Sequence, residues 1–360
     1  MRKAEDNFKK MISPKYQSDG RWKTCLGLTH QQFEYVASLL YVNENVPEEA
    51  VDTAKELFTE IKKEFLNGLN EQEWLDEKTR ASARRKLIKM KEYVGYPRFI
   101  KDPSKLNKFY EDVKVDISQL LQNQLSSVRN SFIKKIQLFG KLFGDYKYTP
   151  LQILPVLATN TVYLGITNEI SILAGVLRPP LYHKDALRAL NYGSLGMLVG
   201  HEIAHALGDK GGQFDENGNM DQWWTKKSHE NFVKRSKCFV QQYSKVKVFG
   251  EQVDGYSTLE ENIADNGGLK YAYRAYQNFG KRYDNEAKLP ALPFTDDQLF
   301  FISFAQAWCA KYSQDKIKLL TATVPTYSLD PVRVQVPLHN FPPFSKAFGC
   351  TPPKDTCAVW

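Results

Sequence analysis

Residues 201–205 read His-Glu-Ile-Ala-His, and the residues just before them, Gly196-Met-Leu-Val-Gly200, are uncharged and largely apolar. A polar triplet carried on an apolar run restricts the chain sharply. Positions four apart on a helix share a face, so His201 and His205 present two imidazoles to one point while Glu202 reaches the same side. Leu195, Leu198, Val199, Ile203 and Leu207 supply apolar packing for such a helix, and Gly208 suits its end. Polar groups on a buried helix need a reason to be there, and Zn²⁺ coordination supplies one. In a chain of 360 residues, a His-Glu-x-x-His match arises by chance with a probability of roughly one in a hundred.

Zinc needs a third protein ligand and keeps a fourth position open. Further along lies Glu260-Glu-Asn-Ile-Ala-Asp-Asn-Gly-Gly268. Glu261 and Asp265 are four apart, so one carboxylate can bind the metal while the other orients a histidine. Glu260 is displaced by about a third of a turn and reads as structural.

The remaining sequence sets the frame. With 42% hydrophobic, 25% charged and 13% aromatic residues, disorder and low-complexity classes are excluded. Net charge is +8, but acidic and basic groups are interspersed, as in Lys62-Lys63-Glu64, which reads as solvated helix faces and not as a nucleic-acid footprint. The uncharged stretch Tyr148–Asn168 is long enough to cross a bilayer, yet its prolines and β-branched residues favour strands in a soluble fold. Residues 1–10 show no apolar signal segment, so the chain read alone carries no export signal.

Helical periodicity runs from Pro47 to Val94 and from about Ser104 to Leu142, with Leu120, Leu121, Leu125, Phe132, Ile133 and Ile136 as core candidates in the second tract. Leu154–Ile166 and Glu169–Leu173 read as strands about a turn at Gly165–Asn168. Leu187–Leu207, Lys226–Val246, Leu259–Asn278 and Thr295–Ser313 look helical again. The expected fold class is mainly α with a small β-sheet (α+β), in two regions, 1–148 helical and 149–360 bearing the motifs.

Four runs carry a resemblance: Asn191 through His205, Glu261 through Gly268, Phe304-Ala-Gln-Ala-Trp-Cys309, and the terminal Cys357-Ala-Val-Trp360. Weaker likeness reaches back to Arg21–Cys25. Together they resemble the catalytic half of the neprilysin and endothelin-converting enzyme family of zinc metalloendopeptidases. The resemblance covers most of this chain but only about the C-terminal half of a full-length member. It implies a gluzincin (thermolysin-like) catalytic domain over 149–360, preceded in 1–148 by the end of the family's N-terminal segment. It implies one Zn²⁺ held by His201, His205 and Glu261, Glu202 as general base, and Asp265 supporting a ligand histidine.

By the same resemblance, Asn160-Thr161 sits where the family has an Asn-Ala pair that hydrogen-bonds the substrate backbone. Val176, Leu181, Leu198 and Trp308 fall in the apolar pocket beyond the scissile bond, and Arg333 contacts the substrate carbonyl or oxyanion. Tyr327 stands where the family has a histidine that stabilises the tetrahedral intermediate. Gly208-Asp209 replaces a pair of aspartates, which leaves the partner of His205 open. The implied partners are short peptides, with a missing N-terminal half of the same protein. The implied location is an extracellular or cell-surface ectodomain. Cys238 is expected to pair with Cys357, while Cys25, Cys309 and Cys350 would pair outside this chain. Loss of the histidine at 327 keeps an alternative open, a weakened or inactive member that binds peptide or metal.

Overall fold

The structure, a computed structural model, describes residues 2–12, 17, 20–137, 154–280 and 289–360. They fall into two compact units, Met1–Glu44 with Pro97–Thr149, and Asn45–Tyr96 with Pro150–Trp360. This differs from the single division expected at 148/149, because residues 45–96 pack with the unit that holds the histidine motif.

The first unit is built from helices Arg2–Ile12, Arg21–Gln32, Glu34–Asn45, Pro103–Phe109 and Leu120–Ile136. Tyr35 anchors it, meeting Phe99 and Phe109 edge-on at ring-centroid distances of 5.0 and 4.9 Å. The tract expected as one helix over 104–142 is two, separated by residues 110–119; residues 138–142 lie outside the described residues. Asp102 caps the first of them by accepting from the N–H groups of Ser104 and Lys105. Leu120, Leu121, Leu125, Phe132 and Ile136, expected as core, are exposed. The helix packs instead through Ser127 and Asn130, which donate to the carbonyls of Gln32 and Phe109.

In the second unit, helix α1 (Glu48–Gly68) begins after Pro47 with two acidic residues that suit its positive end. Its stripe of Val51, Leu57, Phe58, Ile61 and Phe65 is fully buried. Helix α2 (Glu77–Lys89) is capped by Asp76, which accepts from Thr79 N and from the hydroxyls of Thr225 and Ser228. Three strands follow. β1 (Lys91–Gly95) runs parallel to β3 (Glu169–Leu173), and β2 (Thr161–Leu164) pairs antiparallel on β3's other side, giving the order β1-β3-β2. β3 matches the sequence expectation, and the first expected strand narrows to β2. Within the uncharged stretch Tyr148–Asn168, residues 148–153 lie outside the described residues. β1 was expected to end a helical tract; it is a strand because β3 supplies its hydrogen bonds, while its own burial shows no alternation.

A helical lead-in over 188–196 runs into α3 (Met197–Leu207), and α4 (Lys226–Tyr243), α5 (Leu259–Gly280), α6 (Asp296–Ala307) and α7 (Asp330–His339) complete the frame around it. The α3–α5 contact is the one that positions the site. A Cβ on Gly200 would lie 2.8 Å from Gly268 O, and one on Gly268 would lie 2.6 Å from His201 N. Glycine at both positions lets the two backbones touch. The expected Cys238–Cys357 disulfide is present and ties α4 to the C-terminal tail. Cys25, Cys309 and Cys350 are exposed free thiols. No helix among the described residues is long and apolar enough to cross a membrane.

Candidate active site

Helix α3 buries Val199, Ile203 and Leu207 against its neighbours and thereby turns His201, Glu202 and His205 toward one cleft. Helix α5, pressed on it at Gly268, brings Glu261 to the same place. His201 Nε2 and His205 Nε2 are 2.9 Å apart, and Glu261 Oε2 lies 3.2 and 3.5 Å from them. Ligand atoms about 2.0–2.1 Å from a tetrahedral zinc ion stand about 3.3 Å from one another. The observed spacings match that figure. Glu261 Oε2 is moreover buried and accepts no hydrogen bond of regular geometry. Two imidazoles and a carboxylate with an unserved oxygen are a donor set suited to a divalent ion of intermediate softness.

Electrostatics point the same way. Burial opposes charge on His201, but the hydrogen-bonded Asp265 carboxylate and the Glu261 carboxylate beside it outweigh this and push its pKa up to about 10. Burial likewise opposes charge on Glu261, yet the two histidines hold its carboxyl well below the usual carboxylate range. A cation is what this cluster attracts.

Asp265 is buried behind the histidines. Its Oδ1 lies 2.8 Å from His201 Nδ1, and it accepts from Arg333 Nε at 2.8 Å and Nη2 at 2.7 Å. Arg333, on α7, is also stacked 3.9 Å from the Trp308 ring centre and 5.3 Å from that of Tyr327. Its guanidinium therefore does two things, closing the Asp265–His201 chain and placing positive charge in the cleft wall.

The cleft, about 560 Å³, is lined by Asn160, Thr161, Val176, Leu181, Leu198, Trp308, Tyr327 and Arg333 together with the metal-type cluster. The structure thus gathers every expected site residue in or directly behind one cavity. Sequence reading missed the hold on Glu202. Thr161 Oγ1 donates to Glu202 Oε1 at 2.9 Å, and Tyr163 N donates to Oε2 at 2.8 Å. An extra hydroxyl at 161 in place of the family's alanine was the signal that could have found it. Lys86 was missed too. Buried under the cleft, its ammonium donates to the carbonyls of Gly211 and Phe214, so α2 holds down the segment that follows α3.

Residues 160–357 match the sequence model of peptidase family M13, and residues 1–97 match that family's N-terminal model. The chain belongs to peptidase family M13. The first match begins at Asn160 and ends at Cys357, so it spans every site residue as well as the disulfide. Among M13 relatives, the chain is 37% identical to endothelin-converting enzyme 1 of Mus musculus over 99% of its own length and 47% of the relative's. It is 38% identical to endothelin-converting enzyme-like 1 of Homo sapiens, over 94% of this chain and 44% of that one. The chain spans about half the length of these curated relatives. Of solved structures, it superposes on a zinc metalloprotease of Mycobacterium tuberculosis in complex with an inhibitor with a TM-score of 0.82, at 26% identity, covering 98% of this chain and 53% of that one.

Proposed function

We propose that this M13 chain carries the working residues of a zinc-dependent metalloendopeptidase that cleaves short peptides on the amino side of bulky hydrophobic residues. The observation that carries the reading is the convergence of donor atoms from His201, His205 and Glu261 in a cleft that Glu202 also faces. Zinc held by those three residues would supply Lewis acidity, polarising a peptide carbonyl and acidifying water. Glu202 takes the proton from the attacking water and passes it to the leaving amine, a role worth about 10²–10⁴-fold in rate. Arg333, fixed by Asp265 and Trp308, stabilises negative charge on the scissile oxygen, and the Tyr327 hydroxyl donates to the same oxygen. Asn160 and the backbone of β2 bind the peptide as an added strand. Val176, Leu181, Leu198 and Trp308 receive the apolar side chain that follows the cleaved bond.

The partners proposed are peptides, not nucleic acids. The Cys238–Cys357 bridge favours an oxidising compartment, in keeping with an extracellular or cell-surface location. The test is incubation of the zinc-loaded chain with short peptides carrying one Phe or Leu, with products mapped by mass spectrometry. Cleavage before the bulky residue, abolished by a chelator and restored by zinc, supports the reading; cleavage only after it, or cleavage indifferent to chelation, refutes it.

A second reading has its own support. Both oxygens of Glu202 already accept hydrogen bonds from β2, which ties the carboxylate to the strand and suits a protein that binds peptide or metal without turnover. Zinc binding with no hydrolysis, unrescued by Tyr327→His, would favour it.

A further inference from the structure

Strand β2 gives the cleft two ends. At one end Thr161 pairs with Ile172 of β3. β3 then runs into the turn Ala174–Val176, which contributes Val176 to the pocket assigned to the residue after the cleaved bond. At the other end Leu164 pairs with Glu169, and Gly165 follows. Glu202 is held between these ends, by Thr161 Oγ1 and Tyr163 N. A peptide laid along β2 with its bulky side chain at the Val176 end therefore carries its preceding residues toward Gly165, at about 3.4 Å per residue.

What waits there is the ring of Phe214. A Cβ on Gly165 would lie 2.6 Å from Phe214 Cδ2 and 3.0 Å from its Cγ, so the ring packs directly on a bare Cα. Tyr163, Gly165 and the half-buried Phe214 all line the cleft. The segment behind the ring is fixed from several sides. Phe214 O accepts from Lys86 Nζ and, at 3.0 Å, from Trp223 Nε1, while Lys86 also donates to Gly211 O. Phe214 is bridged to Met220, and Asn168 Nδ2 donates to Glu216 O at 3.3 Å. An aromatic surface whose backbone is already ordered gives up little freedom when a ligand meets it. The reading above leaves this ring without a use.

We propose that Phe214 is a specificity-determining residue: its ring, seated on the bare Cα of Gly165, receives an apolar side chain within the two residues that precede the cleaved bond. The preferred substrates are then short peptides that are apolar on both sides of that bond. The inference rests on the peptidase reading above.

The experiment uses the zinc-loaded full chain and short peptides with one Leu after the cleaved bond and Phe or Ser at either of the two preceding positions. Cleavage before Leu is quantified by mass spectrometry. Wild type is expected to favour Phe over Ser at one of these positions by at least about tenfold in kcat/KM, and Phe214→Ala to bring that ratio below about threefold. Gly165→Ala places a methyl group against the ring and should lower the same ratio by displacing it. A merely structural role for Phe214 would slow both peptides alike and leave the ratio unchanged. A ratio for Phe214→Ala within about twofold of wild type overturns the proposal; if that variant does not fold, an unchanged ratio in Gly165→Ala overturns it. Wild type that cleaves before Leu without preferring Phe at either position defeats only this inference, whereas wild type that cleaves none of the peptides defeats the peptidase reading on which it rests.

Discussion

Replacing Gly268 by alanine tests how the site is assembled. A Cβ at 268 would sit 2.6 Å from His201 N, 2.8 Å from Met197 O and 3.0 Å from His201 Cα. All three are atoms of the α3 backbone, so no rotamer change relieves them. Restoring ordinary contact at 3.4 Å needs the helices to part by about 0.8 Å. Glu261 lies two turns away on the same rigid helix and moves with it, away from imidazoles now 3.2 and 3.5 Å distant. Overpacking of this kind costs about 1–3 kcal/mol, and metal sites tolerate displacements of only about 0.5 Å. Gly268→Ala is therefore expected to lower the urea midpoint of the metal-free protein and to weaken zinc at least about tenfold. Gly280→Ala is the control on the same helix. No atom lies within 4 Å of a Cβ there, so it should be neutral or stabilising by up to about 1 kcal/mol. Equal behaviour of the two variants would show that the α3–α5 contact does not position Glu261.

Removing the Cys238–Cys357 bridge, which closes a separation of 119 residues, should cost about 4–5 kcal/mol on the chain-entropy account, read as a lowered urea midpoint in a Cys238→Ser, Cys357→Ser variant; an unchanged midpoint would contradict it. Burial raises the Asp76 pKa, but hydrogen bonds from Thr225, Thr79 and Ser228 overcome this and bring it down to about 2. A carboxyl depressed in the fold contributes stability above its unfolded pKa and loses it as pH falls from about 4 toward 2; Asp76→Asn should flatten that part of the stability profile, and an unchanged slope would refute the assignment. Thr161→Val removes a hydrogen bond to a charged group and should lower kcat about tenfold with little change in KM, while Thr161→Ser restores it; a fall in melting temperature with kcat intact would make Thr161 structural only.

What was legible in the sequence was local. His201 with His205, and Glu261 with Asp265, are each pairs within one helix, where four-residue spacing dictates a shared face. That the two helices meet depends on Gly200 against Gly268, a contact between residues distant in the chain that leaves no periodic trace. The same distinction explains β1, whose pairing comes from β3, and the exposed apolar residues of Leu120–Ile136, whose helical stripe predicted burial but could not say which face the unit would cover. Arg333 was expected to meet substrate, and its bidentate pairing with Asp265 is equally invisible, being set by α7 crossing behind α5.

The most direct measurement of the central claim compares wild type with Glu202→Gln for zinc content and for hydrolysis of one short peptide containing a single Phe. The account predicts one zinc per chain in both proteins and cleavage before Phe in wild type, reduced at least about 100-fold in the variant. Equal hydrolysis by the two proteins, or a wild type that holds no zinc, would contradict it.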